Sequence, residues 1–353
     1  MKIIHIITSI NRGGAENHLF NLTSLQSRNN DEVKIIYFKG DNYWSKFYKK
    51  ENIETIKYKL DNNFNFFGFI IIFFKLNNLL KKENPDIVHA HLALPEIFVT
   101  IIKLLSKSKF RLFITKHLDS LIFEGSYGQN KFFDGLFFEK LIFRSADHVI
   151  FISKNVKNYF LKKIKNFEYK TSVIYYGIDK NYFINKKNKR SFEFLRDNKS
   201  QFLILNIARH IAQKKVDKLI DGFYEFSKTE KNSKLILVGT GPETKNLKLK
   251  AKNLNLLDKI IWISYTENTR EIFQICDLFC LTSKYEGLGL VLLESLLMKK
   301  TIVTINRSAM REIITDNYNG ISLKKNFTSK NLSEAFKKIK SNKNLAQKYK
   351  KNG

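Results

Sequence analysis

Short apolar runs bounded by polar or glycine-bearing turns alternate along this chain with longer segments whose apolar positions recur every three or four residues. This alternation is the pattern of parallel α/β sheets. In the first half it predicts strands at 2–8, 32–38, 86–90, 111–116, 147–152 and 171–175. Helices are expected at 14–27, 64–83, 94–106, 132–145 and 153–164. A polar break then runs from Asp179 to Ser200, with the basic stretch Lys186-Lys-Asn-Lys-Arg190, and reads as a linker. The alternation restarts with strands at 201–208, 234–239, 259–263, 277–281 and 301–305. The clearest helix is 216–228, where Val216, Leu219, Ile220, Phe223 and Phe226 make one apolar stripe.

Two successive α/β units predict two Rossmann-like domains, 1–178 and 201–353, facing across a cleft, with 179–200 between them. Ligands of such sheets bind beyond the carboxyl ends of the strands. A length of 353 residues suits two cores. The 62 basic and 33 acidic residues give a net charge of +29, which attracts polyanions. The excess is spread over both halves, and a bias toward Lys, Asn, Ile and Phe accounts for it without any partner. Cys276 and Cys280 have no metal or redox spacing and read as buried packing residues. The start, Met1-Lys-Ile-Ile-His-Ile-Ile-Thr8, reads as a first strand and not a signal peptide. The apolar stretch Phe64 to Phe74 is too short to span a bilayer. A cytoplasmic protein is expected.

Candidate chemistry gathers where predicted strands end. Tyr285-Glu-Gly-Leu-Gly-Leu-Val-Leu-Leu-Glu294 follows the apolar run 277–282 and reads as a glycine-bearing turn and a helix opening near Leu288. Glu286 then lies in the turn, and Glu294 about two helical turns further on. Backbone N–H groups from Gly287 to Val291 form the usual place for a phosphate. Amides for phosphates and two carboxylates for ribose and sugar hydroxyls point to a nucleotide-linked ligand. Arg209 after a strand, with Lys214 and Lys215 before the striped helix, could clamp a diphosphate. Gly13-Gly14 lets an anion approach the backbone at another helix start. It is not the dinucleotide-binding glycine pattern, and no acidic residue closes the second strand, which argues against an NAD enzyme. His89 and His91 share one face of their strand. With no third ligand in view they predict a polar role and no metal site. His117 follows the strand 111–116, beside Asp119, where a sugar contact competes with a structural role.

Taken together these residues resemble the retaining, nucleotide-sugar-dependent glycosyltransferases of family 4, over nearly the whole chain. The likeness covers Gly13-Gly14 with Glu16, His89-Ala-His91, Thr115-Lys-His117, Ser153, and Tyr176-Gly-Ile-Asp179. It continues through Arg209 with Lys214, Gly239-Thr-Gly-Pro-Glu243, and the Glu286/Glu294 pair. The resemblance implies a GT-B fold with the donor nucleotide held mainly by the C-terminal domain. It implies that Glu294 accepts hydrogen bonds from ribose and that Glu286 contacts the transferred sugar. Arg209 and Lys214 would neutralise the diphosphate, helped by Gly14 and the amides of Leu290 and Val291, and His117 would contact the sugar beside the reacting carbon. No Asp-x-Asp occurs, which fits a family that needs no metal or other cofactor. Transfer would retain the anomeric configuration, with fixed cations and dipoles stabilising the leaving group.

The chain departs from the family at Lys215 and at Lys299-Lys-Thr301, where relatives usually have glycine. It also stops at Gly353, where relatives usually continue into a helix that crosses back to the first domain. The expected role is synthesis of a surface polysaccharide or lipopolysaccharide on a glycan or lipid-linked acceptor. Acceptor choice is assigned to the loops 39–63 and 117–131. The alternatives are a nucleotide-sugar epimerase or phosphorylase of the same fold, an inactive sugar-binding subunit, or a nucleic-acid-binding protein. No nucleic-acid module is present, so nucleic acid is not an expected partner. Phe64 to Leu80, followed by Lys81-Lys82, reads first as a buried helix and second as a peripheral contact with anionic lipid. The tail from Lys324, with ten basic residues against Glu334 alone, reads as a solvated helix face.

Overall fold

The computed structural model describes all residues except 60–65, 107–108, 123–134, 179, 181–191, 193–194, 196–199 and 267. Most of the expected linker, including Lys186 to Arg190, lies outside the described residues, as does much of the 117–131 loop. The chain divides into two compact units, Met1–Gly177 and Ile178–Gly353. Both are Rossmann-like, as in GT-B proteins.

The N-terminal unit is a seven-stranded sheet of β1 (Lys2–Ser9), β2 (Glu32–Lys39), β3 (Glu54–Lys57), β4 (Ile87–His91), β5 (Arg111–Lys116), β6 (His148–Phe151) and β7 (Thr171–Val173). Its spatial order is β3-β2-β1-β4-β5-β6-β7, with parallel pairing throughout. Its helices are α1 (Gly14–Arg28), α2 (Ser45–Lys50), α3 (Phe66–Glu83), α4 (Ala93–Leu105), α5 (Gly135–Ser145) and α6 (Lys154–Lys163). Strand β3 escapes the sequence pattern because it is an edge strand with no buried residue, so it needs no apolar run.

The C-terminal unit contains β8 (Phe202–Ile207), β9 (Ser233–Val238), β10 (Ile260–Ile263), β11 (Leu278–Leu281), β12 (Thr301–Ile305) and β13 (Ile321–Leu323). Their order is β10-β9-β8-β11-β12-β13. The helices are α7 (Val216–Thr229), α8 (Thr244–Asn253), α9 (Thr269–Ile275), α10 (Leu290–Leu297), α11 (Met310–Ile313), α12 (Ser329–Ser341) and α13 (Lys343–Asn352). In each sheet the strand order reverses at the centre, between β1 and β4 and between β8 and β11. That reversal opens a crevice at the carboxyl edge, where such folds take ligands.

The predicted stripe on α7 is buried in full. It packs against α12, whose Leu332, Ala335, Phe336 and Ile339 are also buried, with Phe226 edge-on to Phe336 at 5.6 Å. The basic tail is therefore no mere solvated face: its apolar side completes the C-terminal core, and Tyr349 of α13 is buried in the same cluster. Lysines mask this stripe in a composition count but not in helical projection. Helix α3 is likewise two-sided. Ile72, Leu76 and Leu80 are buried, whereas Phe67, Ile71 and Phe74 are 73%, 53% and 57% exposed. No helix among the described residues is long and apolar enough to cross a membrane.

Both positions where lysine replaces the glycine of the resemblance are left-handed. Lys215 has φ 50° and ψ 38°, and Lys299 has φ 51°. Lys299 follows the C-cap of α10 in a Schellman motif. Its N–H bonds Leu296 O at 2.8 Å, and the Lys300 N–H bonds Ser295 O at 3.0 Å. A side chain at such a backbone costs about 1 kcal/mol. Lys299→Gly is expected to raise the unfolding free energy by about that amount, seen as a higher urea midpoint with the m value unchanged. A lowered midpoint would contradict the strain.

Candidate functional site

In the C-terminal unit the site grows from two loops at the reversal of strand order. The loop after β8 carries Arg209 and Lys214, and the loop after β11 carries Glu286. They are tied together by backbone: Lys284 N–H donates to Gln213 O at 2.7 Å, and Gln213 Nε2 donates to Tyr285 O at 2.8 Å. The Thr282 hydroxyl donates to the carbonyls of Lys214 and Lys215. Across this seam Lys214 Nζ meets Glu286 Oε1 at 2.6 Å, with both side chains largely buried. From the next loop, the Ser308 hydroxyl donates to Glu286 O at 2.7 Å and holds the turn.

Arg209 is exposed and has no ion pair among the described residues. Its backbone is braced by the turn after β9. Gly239 has φ 142°, and a Cβ there would stand 1.9 Å from Ala208 O, so no side chain fits without moving the Arg209 loop. His210 N–H donates to Thr240 O at 2.9 Å and completes the brace.

Helix α10 opens at Leu290, two residues later than expected. Gly289 ends the turn at φ 92° and ψ 62°, a conformation open chiefly to glycine. Leu292 N–H bonds back to Gly289 O at 2.8 Å, so the amides of Leu290 and Val291 come first on the helix, where anions are favoured. Glu294 sits one helical turn further on and is partly buried, and burial pushes its carboxyl up to about 7. A carboxyl poised near neutrality is suited to be ionised by hydroxyls that donate to it.

In the N-terminal unit Gly13 caps α1 in an extended conformation, φ −167°, that any residue can adopt. A Cβ there would meet the Glu16 carboxylate at 2.2 Å, so its smallness, and not its backbone freedom, makes room. Gly14, the first residue of α1, is exposed. His91 ends β4, and His117 directly follows β5. Leu92 then turns at φ 71° and ψ 160°, a region bulky residues avoid, as happens where surrounding contacts over-determine the backbone.

The expectation that His89 and His91 lack a third ligand is corrected here. His5 of β1 lies opposite His89 in the sheet register, and ring nitrogens of His5, His89 and His91 fall within 4.8 Å of one another. Sequence reading missed it because β1 and β4 are neighbours in the sheet although β2 and β3 lie between them in sequence, with His5 and His91 86 residues apart.

Residues 12–182 match the Glycosyltransferase Family 4 model, and residues 187–353 match the model of glycosyl transferases group 1. The chain belongs to the glycosyltransferases. An uncharacterized glycosyltransferase of Methanocaldococcus jannaschii is 26% identical over 89% of this chain and 81% of its own. An α-1,4-N-acetyl-D-galactosaminyltransferase of Campylobacter jejuni, named for a diphospho-undecaprenol-linked glycan, is 24% identical over 91% and 84%. Among solved structures, Anabaena HepE in complex with UDP-glucose superposes with a TM-score of 0.83 at 19% identity. That match covers 100% of this chain and 93% of HepE.

In this glycosyltransferase the residues picked from sequence form two groups. Arg209, Lys214 and Glu286 stand on two tied loops of the C-terminal sheet, and Leu290, Val291 and Glu294 on the start of the helix that follows the second. Gly13, Gly14 and His117 stand at the carboxyl edge of the N-terminal sheet. Ser153, also in the resemblance, caps α6 by accepting from Val156 N–H at 3.1 Å, which is a structural task. Gln213 and Ser308 were missed. Each acts through hydrogen bonds to a loop distant in sequence, and neither carries a local signal.

Proposed function

We propose that this glycosyltransferase moves a sugar, with retention of configuration, from a nucleotide-sugar donor to a glycan or lipid-linked acceptor in surface polysaccharide or lipopolysaccharide synthesis. The observation that carries the reading is the constellation at the β8/β11 reversal: a cation paired to Glu286, an exposed Arg209, two leading helix amides and the raised carboxyl of Glu294. An epimerase or phosphorylase would use the same donor, but the lipid-linked glycan in the Campylobacter relative's name favours transfer. On this reading the enzyme works in the cytoplasm without a metal, with Arg209, Lys214 and the amides balancing the diphosphate. The UDP-glucose of the HepE structure makes a uridine donor the first choice to test.

The test is thermal stabilisation by UDP, GDP, ADP and their sugar conjugates without added metal. A nucleotide at about 100 times its dissociation constant stabilises by about 2.7 kcal/mol. One nucleotide is expected to stand out, and Glu294→Ala is expected to abolish its effect. If none stabilises the protein, the donor assignment fails.

The exposed stripe Phe67, Ile71 and Phe74 on α3, with Lys75, Lys81 and Lys82 on the same helix, supports a peripheral contact with anionic lipid. Vesicles containing phosphatidylglycerol are expected to sediment the wild type at low salt and to lose most of a Phe67→Ser/Phe74→Ser variant. Equal sedimentation of the two would exclude this face.

A further inference from the structure

The N-terminal histidines form a continuous hydrogen-bonded line. His5 Nε2 meets Gln26 Oε1 at 2.8 Å, and His5 Nδ1 meets His91 Nε2 at 3.1 Å. His91 Nδ1 in turn meets His117 Nε2 at 3.1 Å, and His117 Nδ1 meets the hydroxyl of Tyr176. All three imidazoles are buried, so adding a charge to any of them is costly. Burial holds His5 down to about 4 and His91 and His117 well below the ordinary range. Each ring therefore carries one N–H and one bare nitrogen.

With Oε1 of Gln26 turned toward His5, this inventory leaves one arrangement. The Gln26 carbonyl oxygen only accepts, so His5 donates from Nε2 and is bare at Nδ1. His91 must then donate from Nε2 to His5, and His117 from Nε2 to His91. The bare Nδ1 of His117 accepts from Tyr176, which also stacks on His18 at 3.6 Å. His89 stands outside the line, bonded through Nε2 to the Thr115 hydroxyl at 2.7 Å.

We propose that Gln26, His5 and His91 are positioning residues that lock His117 as its Nε2–H tautomer, so that its Nδ1, at the carboxyl edge of the N-terminal sheet, meets a bound sugar only as a hydrogen-bond acceptor. The Tyr176 hydroxyl holds that nitrogen until a sugar hydroxyl replaces it. The site thereby selects a sugar bearing a hydroxyl at the contacted carbon over one bearing hydrogen or fluorine, neither of which donates. This rests on the transferase reading for its substrate, but the tautomer does not depend on it. A rival reading is a metal bound by His5, His89 and His91. It is disfavoured because the facing nitrogens of His5 and His91 already bond each other and His89 Nε2 already bonds the Thr115 hydroxyl.

The first experiment is two-bond ¹H–¹⁵N correlation spectroscopy of the full-length protein labelled with ¹⁵N-histidine, with assignment by single His→Gln variants. His5, His91 and His117 are expected to show a bare Nδ1 and a protonated Nε2. Gln26→Glu, which keeps an acceptor at the end of the line, is expected to retain that pattern and wild-type kcat. Gln26→Leu removes the acceptor far from the sugar. It is expected to mix the His117 tautomers and lower kcat about tenfold, while UDP binding stays unchanged. A protonated Nδ1 on His117 in the wild type would overturn the proposal. So would one equivalent of tightly held metal per chain, or a Gln26→Leu variant with both its spectrum and its kcat intact. If UDP fails to bind any variant while the wild-type spectrum shows the expected tautomers, the donor reading fails and the lock stands.

Discussion

Arg209→Ala is expected to lower kcat/KM for the donor by about 10²–10³-fold with little change in melting temperature. The expected effect rests on a fixed cation meeting charge that develops on the departing diphosphate, where loss of one pre-organised donor has that magnitude. The small effect on stability follows from position: Arg209 is exposed, has no ion pair among the described residues, and sits on a loop braced by backbone bonds that alanine keeps. Lys214→Met is the informative companion. On the proposed reading it also removes a cation from the leaving group, but it strands the Glu286 carboxylate that Lys214 Nζ meets at 2.6 Å. Stability is expected to fall by about 1–3 kcal/mol in that variant and not in Arg209→Ala. Steady-state kinetics with thermal denaturation separates the two. Wild-type kcat/KM in Arg209→Ala would remove it from the site.

Glu294→Gln is expected to weaken nucleotide binding by about 10–100-fold, the value of a hydrogen bond to a charged group. It should also stabilise the free protein at neutral pH. The folded-state carboxyl titrates at about 7, above its ordinary value of 4.5, because burial disfavours the anion. Between those values the folded chain keeps a proton that the unfolded chain releases. The contribution of Glu294 to stability is therefore fully present below pH 4.5 and is lost as pH rises through 7. The loss is at most on the order of 3 kcal/mol. Glutamine has no such dependence, so the difference between the two proteins should open across that window. If ribose hydroxyls donate to the anion as proposed, binding at pH 6.5 should release a proton in the wild type beyond that released in the variant. Calorimetry in buffers of different ionisation enthalpy measures it. Parallel stability curves for the two proteins from pH 4.5 to 7 would mean that Glu294 is ordinary.

Much of the candidate site was legible because its signals are local. A buried strand, a glycine turn and a helix start follow one another within about twenty residues around Glu286 and Glu294, and the same grammar surrounds Arg209. All eleven expected strands are present, since strands buried on both faces must be apolar whatever their neighbours. The two unpredicted strands, β3 and β13, have only four and three residues. They borrow their order from the sheet they extend. The exposed face of α3 was not legible either, because an all-apolar segment does not say which side is covered.

The sequence by itself determined the alternation of strands and helices, the division into two units, and the loops on which acids, cations and glycines stand. Tertiary structure decided which of those loops meet. Lys214 and Glu286 are 72 residues apart, and His5 and His91 are 86 apart. Alternation fixes the face of a side chain within its own strand, but crossover helices choose the neighbouring strand. Local pattern therefore specified the groups, and only the order of strands in each sheet brought them within bonding distance and, for the histidines, buried them away from water.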